Sequence, residues 1–341
     1  MDVRPLRDGE QEALLDLLDL WPMVDAFRAR DFFARYVTGD PRFDPRDVFV
    51  GVERDQIVSC VQIFPRKLVV RGRSVPTGGI GSVFTHPDHR KLGVASSVLV
   101  AAMQDVSGRG MELGLLFAGP VGFYESHGWH ALPIRRPLLR PGAPDPEALA
   151  AAELFDAARD LAEVVAIHEA YGADREGVCL RDRQDWWTNL SVAGNPDEEF
   201  LVHRAGGRVT AYLRAVCLNR FLLISEWGRT PDAAAPLAAL FSAVLSEHPD
   251  DPIAPKGRSS AEFRKVAAAV PLLDAELEQA LSERGVGLAH VDDARTMVWV
   301  AQPEVFAHRY GEPFRNGDSG EALLRRILPY DRFGFWQSDR F

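Results

Sequence analysis

The stretch VFTHPDHRKLGVASSVL, residues 83–99, runs from a strand through a turn into a helix. The strand is predicted to end near Thr85, Pro87 marks the turn, and the apolar run after Arg90 has helical character to about Ser107. Residues 90–95 spell R-x-x-G-x-A. Two adjacent cations and a glycine therefore stand where the helix begins, at the carboxyl edge of a sheet.

This helix start has the properties of an anion-binding site. The first four backbone N–H groups of a helix have no partner within it, and the helix dipole adds about half a positive charge there. Gly93 has no Cβ, so an anion can approach the backbone, and Arg90 and Lys91 add side-chain charge. The pattern predicts a cradle for a phosphate, most naturally a diphosphate. The plain alternative is an ordinary helix whose first turn carries a glycine and two surface cations.

A second segment, GFYESHGW (residues 122–129), follows downstream. Together the two segments resemble the GNAT superfamily of acetyl-CoA-dependent N-acetyltransferases, over residues 1–140. The resemblance implies that the R-x-x-G-x-A segment binds the coenzyme A pyrophosphate, that the preceding strand holds the pantetheine, and that Tyr124 protonates the leaving thiolate. Ala118 departs from the pattern, because many members carry an asparagine there. The implied cofactor-binding residues are Phe84, Thr85, Arg90, Lys91, Leu92, Gly93, Val94, Ala95 and Ser96.

The second half of the chain repeats the first in outline: helices, a strand meander, then helix and strand. We expect a mixed α/β (α+β) protein of tandem GNAT folds, each a twisted, mostly antiparallel sheet flanked by helices. The predicted parts are an acetyl-CoA-binding GNAT domain (1–140), a proline-rich linker (141–150), a degenerate second GNAT-like domain (151–302) and a C-terminal helix with an aromatic tail (303–341).

Two strands are expected to close these halves. WHALPIRRPLLR (129–140) is predicted to close the first, and ARTMVWVAQP (294–303) to end the second. Between residues 150 and 300 the R-x-x-G-x-G/A spacing occurs once, as RGVGLA (284–289), shortly before the predicted strand that ends the second half.

The layout is similar to that of the Eis (enhanced intracellular survival) acetyltransferases. In those proteins a third, sterol-carrier-like domain ends in a carboxylate that enters the first domain's active site as a base. Only about 40 residues follow VWVAQP here, too few for that domain, but the tail DRFGFWQSDRF can still deliver the carboxylate of Phe341. The aromatic load of this tail argues against a frayed terminus. An Eis-like layout also implies assembly into a homo-oligomer.

Acetyl transfer to an amine requires a base, hydrogen-bond donors for the thioester oxygen and a proton donor for the leaving thiolate. Tyr124 is the donor candidate, since a phenol with a pKa of about 10 is protonated at neutral pH; the alternative is a core tyrosine with a satisfied hydroxyl. The backbone N–H of Phe84 or Thr85 is a candidate to polarise the thioester carbonyl. The base is the least determined group, and its candidates are Phe341, His86, His89, His127 and His130.

An acceptor pocket is expected from the early helices. Trp21, Phe32 and Phe33 would supply aromatic walls, and Asp25 or Asp31 an acidic group. Aromatic faces and carboxylates suit a cation such as an amine. The alternative is that these residues only pack amphipathic helices on the sheet.

Composition narrows the class of protein. The 341 residues carry a formal charge of −10, which argues against a nucleic-acid partner and is compatible with a cationic substrate. No apolar run approaches the roughly 20 residues that span a membrane, and no signal-peptide pattern opens the chain, so we expect a cytoplasmic protein without a membrane partner. Cys60, Cys179 and Cys217 lie far apart and fit neither a disulfide framework nor a zinc site, so no metal is expected.

Three functions follow in order of preference. The first is an acetyl-CoA-dependent N-acetyltransferase acting on a small-molecule or peptide amine by direct attack in a ternary complex. The second is a catalytically silent acyl-CoA-binding module with a sensing or scaffolding role, which the absence of the asparagine and of an obvious base favours. The third is an aminoacyl transferase that uses charged tRNA, which the acidic balance and the coenzyme A pattern oppose.

Overall fold

Two seven-stranded sheets form the frame of the protein in a computed structural model. The structure describes residues 1–22, 28–191, 198–218, 221–247, 268–269, 273–315 and 317–339. The strands among these residues are β1 (Asp2–Pro5), β2 (Val48–Glu53), β3 (Gln56–Val70), β4 (Arg73–Thr85), β5 (Leu113–Phe117), β6 (His130–Ala131), β7 (Ile134–Arg140), β8 (Glu153–Leu154), β9 (Glu199–Ala205), β10 (Arg208–Leu218), β11 (Phe221–Arg229), β12 (Ala268–Ala269), β13 (Gly287–Asp293) and β14 (Thr296–Val300).

Helices flank both sheets. They are α1 (Gln11–Leu18), α2 (Ala29–Ala34), α3 (Val94–Gly108), α4 (Val121–Glu125), α5 (Pro146–Ala151), α6 (Ala157–Gly172), α7 (Arg183–Ser191), α8 (Ala234–Glu247), α9 (Ala275–Glu283), α10 (Pro303–Tyr310) and α11 (Gly320–Ile327). A π-helical turn, Arg35–Gly39, continues α2. None of the helices in the described part of the chain is long and apolar enough to cross a bilayer.

The first sheet has the strand order β1-β2-β3-β4-β5-β14-β6, and its pairs are antiparallel except β4 with β5. Because successive residues of a strand point to opposite faces, Cys60 and Val61 of β3 belong to different cores. The core around Cys60 holds α1 and α2 and includes Phe84. The core around Val61 holds α3 and α4 and includes Tyr124. Phe84, a predicted cofactor-binding residue, and Tyr124, the predicted proton donor, therefore belong to cores on opposite faces of one sheet.

The second sheet has the order β13-β7-β12-β11-β10-β9-β8, and it too is antiparallel apart from one pair, β11 with β12. Helices α8 and α9 supply residues to the core on one face, and α6 and α7 to the core on the other. The predicted mixed α/β class, with mostly antiparallel sheets flanked by helices, is confirmed.

The closing strands are exchanged relative to the sequence prediction. Residues 129–140 were expected to close the first sheet, but β7 pairs with β13 over its whole length in the second. Conversely, β14 lies in the first sheet between β5 and β6. The hydrophobic pattern of a strand shows that it is buried but not which sheet buries it. A boundary at residue 140 thus does not follow the sheets, and the stretch predicted as a linker contains the start of α5.

The C-terminal segment is packed between the two sheets. Helices α10 and α11 cover the turn end of the β3–β4 hairpin. There Phe306, Leu323 and Ile327 share a core with Leu68 and Val75. The tail beyond α11 is buried as well, as the aromatic composition predicts. This segment therefore belongs to the cores of both halves.

Candidate functional site

Strand β4 pairs with β5 over only part of its length. The two strands pair from Thr77 with Leu113 up to Ile80 with Leu116. One residue later β4 bulges, because three steps from Gly81 to Phe84 oppose two steps on β3. Ser82 lies in this bulge with φ of +48°, and its hydroxyl donates to Oε1 of Gln62 at 3.1 Å. A bulge of this kind ends pairing and turns backbone groups toward the gap.

The loop after β4 leads directly into α3. Lys91 and Gly93 have φ of +61° and +78°, and α3 begins directly afterwards at Val94, as predicted. A Cβ on Gly93 would meet no atom within 4 Å, so the position is open to solvent. Arg90 donates from Nε to the carbonyl oxygen of Thr85 at 3.1 Å, and its guanidinium lies 5.5 Å from the Phe84 ring centroid. Arg90 thus ties the loop to the end of the strand.

All predicted cofactor-binding residues therefore lie together. Phe84 and Thr85 end the strand, residues 90–92 form the loop, and Gly93 to Ser96 start the helix. The side chain of Leu92 is 69% exposed, next to Arg90 and Lys91, which are exposed as well. The structure brings this set together, while its role in binding coenzyme A stays a prediction.

Tyr124 lies in α4 on the α3 face of the sheet. It is 7% exposed, and its ring contacts Phe123 and Trp129 at centroid distances of 4.9 and 6.3 Å. Burial raises the pKa of Tyr124 to about 12, so the phenol keeps its proton at neutral pH. Among the described residues its hydroxyl has no hydrogen-bond partner, which leaves that proton available. Ala118, which replaces the expected asparagine, is buried and uses its N–H on the carbonyl of Arg295 at 2.8 Å.

The four histidine candidates are engaged in local contacts. His86 accepts from the N–H of Asp88 through Nδ1 at 3.2 Å, and Nε2 of His89 lies 3.1 Å from Glu53. Nδ1 of His127 lies 2.8 Å from the carbonyl oxygen of Phe123.

His130 contacts the C-terminal segment. Its Nδ1 lies 3.9 Å from a carboxylate oxygen of Glu321 on α11, and burial lowers its pKa. These contacts account for the histidines as structural groups, and each histidine's catalytic role remains an untested prediction.

The expected acceptor wall lies on the other face of the sheet. Trp21 packs against Phe33 at 5.4 Å and against Phe84 at 5.3 Å, and Phe32 meets Phe33 at 5.2 Å. Three of the predicted acceptor residues are thus brought to the strand that carries the bulge. Asp25 and Phe341 lie outside the described residues.

Two aromatic residues that the sequence analysis did not select extend this wall. The ring of Tyr36 lies 5.5 Å from Phe32 and 6.1 Å from Phe64. Tyr36 follows Phe32 by four residues, a helical spacing that would have placed both on one face. Phe64 of β3 has no such local signal, because its neighbours come from distant parts of the chain.

The wall ends in a small polar cavity of about 30 Å³ between the two halves of the molecule. Its charged lining consists of three arginines and three aspartates: Asp40, Arg42, Arg66, Arg181, Asp185 and Asp339. Tyr36 and Phe64 connect it to the aromatic wall. In the described ranges, no group of three or more His, Cys, Asp or Glu side chains is arranged to hold a metal ion.

Comparison with known proteins supports the fold. Residues 2–132 match the family model described as an acetyltransferase (GNAT) domain. The matched residues include the bulge, the loop, Tyr124 and the aromatic wall. No curated protein sequence matches the chain.

Solved structures resemble most of the chain. A GCN5-related N-acetyltransferase from Anabaena variabilis has a TM-score of 0.63 at 12% identity, with 88% of this chain and 72% of that chain covered. Eis1 from Mycobacterium abscessus has a TM-score of 0.57 at 17% identity, covering 90% and 75%. The N-myristoyltransferase of Saccharomyces cerevisiae with bound myristoyl-CoA has a TM-score of 0.56 at 14% identity, covering 88% and 78%. At these identities the likeness concerns the fold.

Proposed function

We propose that the protein is an acetyl-CoA-dependent N-acetyltransferase that acetylates a primary amine by direct attack in a ternary complex. The observation that carries the proposal is the bulge of β4 at Ser82, where the sheet opens. The loop at residues 90–96 lies at one end of this opening, Tyr124 on one face and the aromatic wall on the other.

The cofactor would be held by backbone groups. The N–H groups at the start of α3 suit a diphosphate, and Gly93 permits its close approach because no side chain stands there. The backbone of β4 beyond Ile80 has lost its β5 partner and is available to pantetheine amides. The backbone N–H groups of Phe84 and Thr85 remain the candidates that polarise the thioester carbonyl.

Tyr124 acts as the general acid in this proposal. As the amine nitrogen attacks the thioester carbonyl, the carbon–sulfur bond breaks and the phenol gives its proton to the sulfur. A phenol is protonated throughout the neutral range, as a general acid has to be, and burial raises the pKa of Tyr124 to about 12, which makes it a weaker acid than a free phenol. The carboxylate of Phe341, which the Eis resemblance implies as the base, stays a prediction.

The second half is proposed to be a degenerate GNAT-like domain. Like β4, strand β11 bulges: Arg214 pairs with Glu226 and the next residue, Ala215, with Ile224, so Ser225 is the extra residue. The described parallel pairs of β11 with β12, Leu222 with Ala268 and Leu223 with Ala269, lie just before this bulge. The same order of parallel pair and bulge supports duplication. Assembly into a homo-oligomer and a cytoplasmic location are likewise proposals.

A silent acyl-CoA-binding module is the second candidate, favoured by Ala118, which offers no polar side chain where many GNAT members have one. Release of free thiol from acetyl-CoA, measured with a panel of primary amines, separates the two functions. Thiol release that depends on both the amine and the enzyme, with the acetylated amine as product, supports the transferase. Tight acetyl-CoA binding without amine-dependent release supports the silent module.

A further inference from the structure

Three side chains of β3 form hydrogen bonds with β4 at its bulge and just beyond it. The thiol of Cys60 donates to the carbonyl oxygen of Ser82 at 3.1 Å. Oε1 of Gln62 accepts from the hydroxyl of Ser82 at 3.1 Å, and the hydroxyl of Ser59 donates to the carbonyl oxygen of Phe84 at 3.0 Å. The regular pairing of the two strands is interrupted here, so these side chains set the orientation of the peptide groups in the bulge.

The bulge needs such support because its backbone conformation is unfavourable. Ser82 has a φ of +48°, in the left-handed region that residues with a Cβ rarely adopt. A strained conformation persists only where the surrounding groups fix it. Gln62, which is 4% exposed, holds the hydroxyl of Ser82, and the fully buried Cys60 holds its carbonyl. The two contacts therefore stabilise one orientation of the peptide group between Ser82 and Val83.

The thiol of Cys60 is suited to donate this hydrogen bond. It lies in the core that includes Phe84, and burial raises its pKa to about 12, so it keeps its proton at neutral pH. The backbone of Phe84 also forms a hydrogen bond with this sulfur, and the two residues are register partners. The N–H of Phe84 is thus on the β3 side of the strand.

The contacts with β3 decide which N–H groups of β4 face the opposite side. A trans peptide group points its C=O and its N–H in opposite directions. Because the carbonyl of Ser82 faces β3, the N–H of Val83 faces the side where β4 has no described pairing with β5 beyond Ile80. The carbonyl of Phe84 faces β3 in the same way, so the N–H of Thr85 points to that side as well.

We propose that Cys60 is a positioning residue for acetyl transfer, which aims the N–H of Val83 at the thioester oxygen through its hydrogen bond to Ser82. The proposal rests on the proposed N-acetyltransferase function. A pantetheine that runs from a diphosphate at residues 90–96 along β4 passes Thr85 before Val83. Two strand residues span about 7 Å, so the N–H of Thr85 can hold a pantetheine carbonyl while that of Val83 holds the thioester oxygen.

The proposed contribution of Cys60 is made in the transition state. As the amine attacks, negative charge develops on the thioester oxygen, and an N–H that is already fixed in place stabilises this charge without reorganising. Without the thiol, the peptide group after Ser82 has one contact fewer to hold it, and its N–H is less well aimed. Removing the thiol should therefore lower kcat more than the affinity for acetyl-CoA.

The test compares Cys60→Ala, which removes the donor, with Cys60→Ser, which keeps one as a hydroxyl. We expect Cys60→Ala to lower the kcat of amine-dependent thiol release by about ten-fold or more, with acetyl-CoA affinity within about two-fold of the wild type. Cys60→Ser should keep kcat within about three-fold, although a hydroxyl in this apolar core makes it the less stable variant. Activity and stability then rank the two variants in opposite order, which a loss of packing does not produce.

Thr77→Val is the matched control on the same strand. Thr77 is 1% exposed, lies where β4 still pairs with β5, and donates its hydroxyl to the carbonyl of Val75 at 3.1 Å. The variant loses a buried bond from side chain to backbone of the same length as that of Cys60. We expect a lower melting temperature, with kcat and acetyl-CoA affinity unchanged.

Three results overturn the proposal while the transferase function stands. They are a Cys60→Ala variant with the kcat of the wild type, equal losses of kcat in Cys60→Ala and Cys60→Ser, and a loss confined to acetyl-CoA affinity. If Cys60→Ala does not fold, Cys60→Val decides on the same terms, because valine fills the apolar site without a donor. A wild type inactive with every amine contradicts the proposed function itself, and this inference falls with it.

Discussion

Replacing Tyr124 by phenylalanine separates catalysis from stability in this protein. The change removes one hydroxyl that has no hydrogen-bond partner among the described residues, while the ring keeps its contacts with Phe123 and Trp129. No hydrogen bond is lost, so we expect the free energy of unfolding to change by less than about 0.5 kcal/mol. Under the proposed mechanism, turnover in contrast loses its proton donor.

The expected fall in kcat follows from general acid catalysis, which contributes about 10²- to 10⁴-fold. This range corresponds to about 2.7 to 5.4 kcal/mol of activation free energy. The assay is amine-dependent thiol release from acetyl-CoA, with acetyl-CoA affinity measured in parallel by calorimetry. We expect that affinity to stay within about two-fold, because the hydroxyl acts on the sulfur as it leaves.

Tyr310→Phe is the matched control with the opposite expected result. The hydroxyl of Tyr310 donates to the carbonyl of Val70 at 2.8 Å, far from the loop at residues 90–96. Its loss should cost about 1 kcal/mol of stability and leave kcat unchanged. Full kcat in Tyr124→Phe, or equal losses of kcat in both variants, would refute the assignment of Tyr124 as the acid.

Three further outcomes follow from packing, burial and strand order. Gly114→Ala should destabilise by about 1 to 3 kcal/mol in denaturant unfolding, because a Cβ there would lie 2.6 Å from the buried ring of Trp129; an unchanged midpoint would show that the ring can move. Burial raises the pKa of Tyr171 to about 12, above its value of about 10 in the unfolded chain, so the stability it contributes is complete below pH 10 and is lost between pH 10 and 12. Between pH 10 and 12 the melting temperature of Tyr171→Phe should fall less steeply than that of the wild type, and equal slopes would contradict the raised pKa of Tyr171. A fragment of residues 1–140 should fail to give a cooperative thermal transition, because it lacks Thr296–Val300, the neighbour of β5 in the first sheet; a cooperative melt would show that the inserted strand is dispensable.

Local patterns in the sequence predict the elements around the site well. The turn at Pro87, the glycine at 93 and the apolar periodicity after it place the start of α3, which the structure has at Val94. Such features depend on backbone conformations that only a few residue types favour, so they can be recognised in a single sequence. The aromatic residues of the early helices also meet, since Trp21 packs against Phe33, and their role in binding an acceptor stays a prediction.

Long-range pairing is the part that the sequence does not reveal. Residues Thr296 and Phe117 face each other across two strands although well over a hundred residues separate them. An apolar strand pattern is equally compatible with either sheet, so nothing local assigns β14 to the first and β7 to the second.

The same limit applies to the cavity at the end of the aromatic wall. Phe64 and Asp339 line one cavity, yet no spacing in the sequence relates them. Asp339 owes its place to Arg181, and hence to the fold of the second half, so this carboxylate did not appear among the sequence candidates.

The most direct test of the central claim is acetyl-CoA binding by calorimetry on the wild type, Gly93→Ala and Gly110→Ala. Both glycines have positive φ, +78° and +76°, at opposite ends of α3, and a Cβ at either meets no atom within 4 Å. Both alanine variants should lose about 1 to 2 kcal/mol of stability from the same backbone strain. We predict that the wild type binds acetyl-CoA and that only Gly93→Ala loses affinity, by about ten-fold or more, because its Cβ stands where the pyrophosphate approaches the backbone. A wild type that does not bind, or two variants with equal affinities, would contradict the placement of coenzyme A at residues 90–96 and the transferase account built on it.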